Sequence, residues 1–249
     1  MASVPLGCRS CGAGTRRAKQ RHVYFSRPDS VVDGTSVYEV RKNIGAELAR
    51  EAPVEVDYVV PVPDSGVPAA IGYAQASGIP FELGIIRSHY VGRTFIQPSQ
   101  DVRLQGVKLK HNANSALIDG KSIVLVDDSI VRGTTSVKLV QMMRDAGARE
   151  VHMRIASPPT KHSCFYGVDT PERAKLLAAQ MNVDQMRDYI NADSLAFITI
   201  EGLYRALGQD RDGTQPQRCD ACFTGAYPTT LTDLSEKEGG SPLSLVASR

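Results

Sequence analysis

Residues 122–136, SIVLVDDSIVRGTTS, constrain the fold of this chain more than any other stretch. An apolar run, Ile123 to Val126, leads straight into two adjacent acids, Asp127 and Asp128, and then into small hydroxyl residues, Arg132 and Gly133. An uninterrupted apolar run predicts a strand buried on both faces, as strands of parallel sheets are. In such sheets ligands bind beyond the carboxyl ends of the strands, and the two acids fall at that end. The turn that follows, Ser129 to Thr135, offers backbone N–H groups, hydroxyl donors and the start of a helix, which together suit an anion. Carboxylates beside such a cradle suit sugar hydroxyls and Mg2+. The combination describes a site for a phosphorylated sugar. An isolated Asp-Asp pair would instead read as a helix cap and a salt bridge. The full order of strand, acids, loop and helix is what carries the ligand reading.

The surrounding pattern agrees with a parallel sheet. SVYEVRKNIGAELARE places Val37, Val40, Ile44 and Leu48 at helical spacing. VDYVVPVP predicts a strand ending in a Pro-rich turn, and GVPAAIGYAQASG a helix closed by Gly78. FELGII and EVHMRIAS predict strands, and TTSVKLVQMMRDAGA a helix stopped at Gly147. Strands alternating with helices imply right-handed crossovers and helices on both faces of the sheet. Between Arg87 and Asn114 a long polar stretch without periodicity reads as an active-site lid. PERAKLLAAQ and VDQMRDYINADSLAFITIEGLYRALG read as mostly helical. The expected organisation is a basic arm over 1–21, disordered or tied by metal, a domain over 22–208, and a tail with a C-x-x-C pair over 209–249.

Composition excludes more than it assigns. A chain of 249 residues can bury a sizeable α/β core. With 29 basic and 27 acidic residues the net charge is +2, which gives no reason to expect nucleic acid or a membrane surface as partner. No apolar run approaches the roughly 20 residues needed to span a bilayer, and no signal-peptide core is visible. A soluble, cytoplasmic protein is the expectation. The arm shares the Arg-rich, acid-poor composition of an organelle transit segment but lacks its amphipathic apolar face. The cysteines, Cys8, Cys11, Cys164, Cys219 and Cys222, are odd in number and include two C-x-x-C pairs. That pattern points to metal or redox chemistry rather than a disulfide scaffold, with reduced structural thiols as the plain alternative.

VLVDDSIVRGTT resembles the phosphoribosylpyrophosphate (PRPP) motif of type I phosphoribosyltransferases. VDDSIVRGTTS resembles that of the glutamine PRPP amidotransferases in particular, which make phosphoribosylamine for purines. Further stretches match that family in order: YFSRPDS (24–30), VPVPDSGVPAA (60–70), YVGRTFI (90–96), SPP with FYGVDTP (157–171), and ADSLAF with GLYRAL (192–207). The match covers about residues 22–235. It implies a type I phosphoribosyltransferase fold: α/β, with a doubly wound, mostly parallel sheet, a flexible lid loop and a helical C-terminal part.

The resemblance also implies roles. Asp127 and Asp128 would hold the ribose 2′- and 3′-hydroxyls and Mg2+. Ser129, Arg132, Gly133, Thr134 and Thr135 would grip the 5′-phosphate. Asp64, Ser65 and Gly66 would form the pyrophosphate loop, with Ser65 joining the metal and Gly66 permitting close backbone approach to the leaving group. PDSG alone would read as an ordinary turn. In the lid, Arg93 would meet phosphate charge, while Tyr90, Phe95 and Ile96 exclude water and line a path for ammonia. Ammonia would displace pyrophosphate at ribose C1 through an oxocarbenium-like transition state. That reaction calls for positioning, Mg2+ and a dry lid rather than a strong protein nucleophile.

Full-length members of the family begin with a glutaminase part, whose N-terminal Cys attacks glutamine. Matching sequence here starts around His22, so free ammonia is the expected nitrogen source, with glutamine used only through a separate glutaminase. Some members hold a [4Fe–4S] cluster on four cysteines. Cys164, Cys219 and Cys222 match three of them, while the fourth place, near Ala18, holds no cysteine and leaves Cys11 or Cys8 as candidates. The alternative is a Zn2+ site on Cys8, Cys11, Cys219 and Cys222. Ser88, Ser115 and Ser122 stand where larger polar or basic residues are expected, and lost charge near the lid would weaken PRPP binding. A homo-oligomer is implied. A nucleobase-salvage phosphoribosyltransferase and a non-catalytic PRPP-binding module are the competing readings.

Overall fold

The computed structural model describes residues 17–18, 23, 25–32, 34–87, 111–166, 168, 170–209 and 218–229. Its elements run β1 (Arg17–Ala18), β2 (Val31–Val32), β3 (Thr35–Ser36), α1 (Val37–Glu51), β4 (Tyr58–Pro61), α2 (Val67–Ser77), β5 (Ile85–Arg87), β6 (His111–Ala113) and α3 (Ser115–Ile118). There follow β7 (Ser122–Asp127), α4 (Thr134–Asp145), β8 (Glu150–Ile155), a 3-10 turn (Arg173–Lys175), α5 (Leu177–Gln180) and α6 (Val183–Ile190). The chain then continues through β9 (Ser194–Phe197), α7 (Ile200–Ala206), β10 (Arg218–Cys219) and α8 (Ala221–Thr224).

A four-stranded sheet in the order β4-β7-β8-β9 forms the centre, and all its pairings are parallel. Every residue of β7 is buried, which is why its sequence shows no polar alternation. Side chains still alternate between faces. Ile123 and Leu125 join Leu139, Val140 and Met143 of α4 on one side. Val124 and Val126 join Val40, Ile44 and Leu48 of α1 and Tyr73 of α2 on the other. Each such buried aliphatic side chain is worth roughly 1.5–3 kcal/mol relative to exposure. Helix ends follow their sequence signals. The Ser36 hydroxyl accepts the Glu39 N–H at the start of α1, Gly78 ends α2 at φ 75°, and Asn182 and Gln185 form a capping box on α6.

Two sequence expectations are corrected. FELGII does not form one strand. Phe81 makes a single parallel bridge to Val59 of β4, and Ile85–Arg87 turns away to pair antiparallel with β6. The segment 183–206 is not continuous helix either: SLAF forms β9, the fourth strand, between α6 and α7. The Phe81 bridge and β7 lie on opposite sides of β4, so the strand order switches there, and the carboxyl ends of β4 and β7 are where sheets of this kind bind ligands. Within the expected tail, residues 218–229 pack on the domain. Cys222 and Phe223 are buried in the α1–α2 side of the core, and β10 pairs parallel with β1, Ala18 opposite Cys219. Among the described residues no helix is long and apolar enough to cross a membrane.

Candidate active site

The ends of β4 and β7 are tied together by the Val62 N–H, which donates to the Val126 carbonyl at 2.9 Å. This carries the loop Val62 to Gly66 over the end of β7. A β-carbon on Gly66 would lie 2.9 Å from the Val62 carbonyl oxygen and would strike the Val126 carbonyl as well. Glycine is therefore required for the loop to seat on its own sheet, a nearer reason than the approach to a leaving group. The Pro63–Asp64 peptide bond is cis. Asp64 is exposed and pairs with Arg87 at the end of β5. Ser65 is half-buried and lies close enough to Asp128 for its hydroxyl to favour the ionised carboxylate. The loop and the acid pair, sixty residues apart in sequence, thus meet.

Both acids are buried, Asp127 at 6% and Asp128 at 5% exposure. Asp127 Oδ1 accepts the Asp128 backbone N–H at 2.8 Å, and the Ser129 hydroxyl donates to Asp128 Oδ1 at 3.1 Å. Burial, and then the charge of Asp128, push the Asp127 carboxyl well above the usual carboxylate range. Burial also raises Asp128, opposed by the hydroxyls of Ser65 and Ser129 and by the charge of Arg41. Asp128 Oδ2 is buried and takes no hydrogen bond. An orphaned carboxylate oxygen beside a second acid and a serine hydroxyl fits a hard divalent cation, which would satisfy it and relieve the repulsion. Among the described residues no group of three or more His, Cys, Asp or Glu side chains could hold a metal ion unaided. A cation here would draw on Ser65 and bound substrate as well as the two acids.

After the acids, Ile130 plunges into the core and anchors the loop. Gly133 adopts φ 75°, a conformation that favours glycine, and opens α4. Arg132, Thr134 and Thr135 are exposed around that helix start. That twelve-residue helix begins six residues beyond Asp128, so its amino end, which favours an anion, follows directly on the acid pair.

Sequence reasoning missed Arg41. It lies on α1 at 4% exposure and donates to the Ser26 carbonyl at 2.8 Å, close enough to Asp128 for its charge to be felt. A cation on the otherwise apolar stripe of α1 was the available signal. The Ser122 expectation is corrected: it sits at the amino end of β7, opposite the acids, bonded to Arg149 and Glu150. Tyr90, Arg93, Phe95, Ile96 and Ser88 lie outside the described residues, as do Cys8 and Cys11. Cys164, Cys219 and Cys222 are reduced and gather near one another. Burial, then the charges of Cys164 and Cys219, push the Cys222 thiol far up. The three thiols form no closed metal site by themselves, and Ala18 stands beside Cys219 where a fourth was sought.

Comparison with known proteins agrees with this geometry. The family described as phosphoribosyl transferase domain matches residues 29–165. The amidophosphoribosyltransferase of Rhizobium etli is 63% identical over 229 residues, 91% of this chain and 46% of its own length. That of Bacillus subtilis is 54% identical over 210 residues, 84% of this chain and 44% of its own. The solved structure of glutamine PRPP amidotransferase from B. subtilis, complexed with ADP and GMP, superposes with a TM-score of 0.80 at 51% identity, covering 88% of this chain and 49% of that one. The chain spans about half the length of the relatives it matches. With the match extending over more than half its residues, and the acid pair and its two loops standing where that fold binds ligands, the chain belongs to the phosphoribosyl transferase domain family.

Proposed function

We propose that this chain is the phosphoribosyltransferase part of an amidophosphoribosyltransferase, forming 5-phosphoribosylamine and pyrophosphate from PRPP and ammonia, the first committed step of purine biosynthesis. The observation that carries it is the convergence of Asp127, Asp128 and Ser65 at the carboxyl ends of β7 and β4, in a chain 63% identical to one such enzyme. Asp127 and Asp128 accept the ribose 2′- and 3′-hydroxyls and so fix the ring. The Ser129 to Thr135 loop and the start of α4 take the 5′-phosphate. Asp64, Ser65 and Gly66 cradle the pyrophosphate, and Arg87, paired to Asp64, holds that turn. Asp127 and Asp128, with Ser65, would hold Mg2+, whose charge offsets that of the departing pyrophosphate. The nitrogen lone pair attacks C1 as the bond to pyrophosphate breaks; pyrophosphate leaves with the electron pair, and the ammonium formed on C1 gives its extra proton to pyrophosphate or water. Tyr90 and Arg93, on the lid, complete the reading by excluding water and meeting phosphate charge.

The test is pyrophosphate release from PRPP and Mg2+, with ammonium chloride in one reaction and glutamine in another. Release with ammonium alone supports the proposal. Release only with a nucleobase would move the chain to a salvage enzyme, and PRPP binding without any release would make it a binding module.

We further propose that Cys164, Cys219 and Cys222 hold three corners of an iron–sulfur cluster, with Cys11 or Cys8 as the fourth ligand. Their gathering near one another supports this reading. Iron and sulfide analysis with EPR on anaerobically purified protein tests it. Zinc in place of iron would favour the Cys8, Cys11, Cys219 and Cys222 site.

A further inference from the structure

We infer that Leu177, at the start of α5, is a positioning residue that holds the phosphate loop in its binding conformation. The inference rests on the reading of Ser129 to Thr135 as the 5′-phosphate loop and goes beyond it. The Leu177 N–H donates to the Val131 carbonyl at 2.8 Å, in the middle of that loop. Its side chain is 5% exposed and lies in the same core as Ile130. A β-carbon built on Gly133 would stand 2.6 Å from Leu177 Cδ2 and 3.1 Å from Tyr189 Cε1 of α6. The loop is thus braced at three points. Ile130 anchors it below, the Leu177 amide fixes its middle, and the Leu177 side chain with the edge of the Tyr189 ring backs the residue that turns it into α4.

The braces come from a segment more than forty residues further along the chain, which itself contributes no group to the ligand. A loop whose N–H groups must converge on one phosphate binds well only if it is ordered beforehand, because ordering it on binding subtracts from affinity. The pyrophosphate loop is held differently, by β7 through Val62 and Val126. Leu177 therefore acts on one half of the PRPP site and leaves the other alone.

This separation gives the test. Binding of ribose 5-phosphate and of pyrophosphate with Mg2+ is measured by calorimetry on the full chain and on Leu177→Ala, Leu177→Met and Tyr189→Ala. Leu177→Ala should weaken ribose 5-phosphate roughly tenfold, equivalent to about 1.4 kcal/mol, with pyrophosphate unchanged. Leu177→Met, which keeps the volume, should restore it. Tyr189, 44% exposed, can be truncated with little effect on folding, so Tyr189→Ala should weaken ribose 5-phosphate severalfold at unchanged melting temperature even if Leu177→Ala folds poorly. Equal weakening of both ligands, or no loss of ribose 5-phosphate binding in either truncation, overturns the role of Leu177. Failure of the wild-type chain to bind ribose 5-phosphate at all overturns the loop reading, and the inference with it.

Discussion

Replacing Asp127 by Asn should stabilise the metal-free chain and abolish its response to Mg2+. The folded protein raises the Asp127 carboxyl, first by burial and then through Asp128. Below the ordinary carboxylate value of 3.8 both folded and unfolded chains carry the proton, and the acid adds nothing to stability. As pH rises past it the unfolded chain ionises first, while the folded chain keeps its proton to a higher pH. Stability is lost across that interval and levels off above it. Asn removes the loss, and its Oδ1 can still accept the Asp128 N–H that now lies 2.8 Å away. Taking the cost of ionising a buried carboxyl beside a second acid as on the order of 2 kcal/mol, the variant should exceed the wild type by about that much at pH 8 in EDTA, roughly 4–8 °C in Tm. At pH 4 the difference should shrink towards zero. Mg2+ with PRPP should raise the wild-type Tm and leave the variant unmoved. Thermal melts from pH 4 to 8, with and without Mg2+ and PRPP, decide the matter. An Asn variant less stable than wild type at pH 8 without metal, or a difference that ignores pH, would refute the reasoning.

Gly66→Ala should destabilise the chain by about 1–3 kcal/mol and weaken pyrophosphate binding, because the new carbon meets the Val62 and Val126 carbonyls; urea melts and calorimetry check both. Arg154 is 4% exposed and donates to the Ala52 carbonyl and the Ser194 hydroxyl at 2.8 and 2.9 Å, so Arg154→Met should lower stability by about 2–4 kcal/mol in urea melts. Cys222 is 6% exposed and its thiol is pushed far up by burial and by Cys164 and Cys219. Peptide mapping after iodoacetamide at pH 8 should therefore find it the slowest of these three cysteines to alkylate.

Much of the site was legible because it is written locally. The apolar run into Asp127 and Asp128 marks a doubly buried strand and its ligand end within a few residues, and the structure puts both acids there, buried. What escaped depends on distant partners. SLAF is four residues long between two helices, so helical periodicity on both sides absorbed it, and only pairing with β8 makes it a strand. FELGII has strand composition, but Ile85 finds its partner in Ala113, beyond the polar stretch. Leu177 bears on the Ser129 to Thr135 loop through a main-chain N–H, which no side-chain pattern can announce. Arg41 was readable in principle, as a cation on an apolar stripe, but its proximity to Asp128 requires the fold.

The pairing of β1 with β10 has a consequence for how the molecule assembles. Residues 17 and 218 are partners about 200 positions apart. Closing so long a loop in a disordered chain costs about 5 kcal/mol in entropy by the logarithmic scaling with length, and two backbone pairings repay only a fraction of that. The β1–β10 ladder must wait until the central sheet has brought its two ends within reach. Cys219, on that ladder, then meets Ala18 late in folding and loses that partner early in unfolding. A pairing of two residues at the edge should open before the wholly buried strand that ends in Asp127, so hydrogen exchange is expected to be faster at Cys219 than along β7.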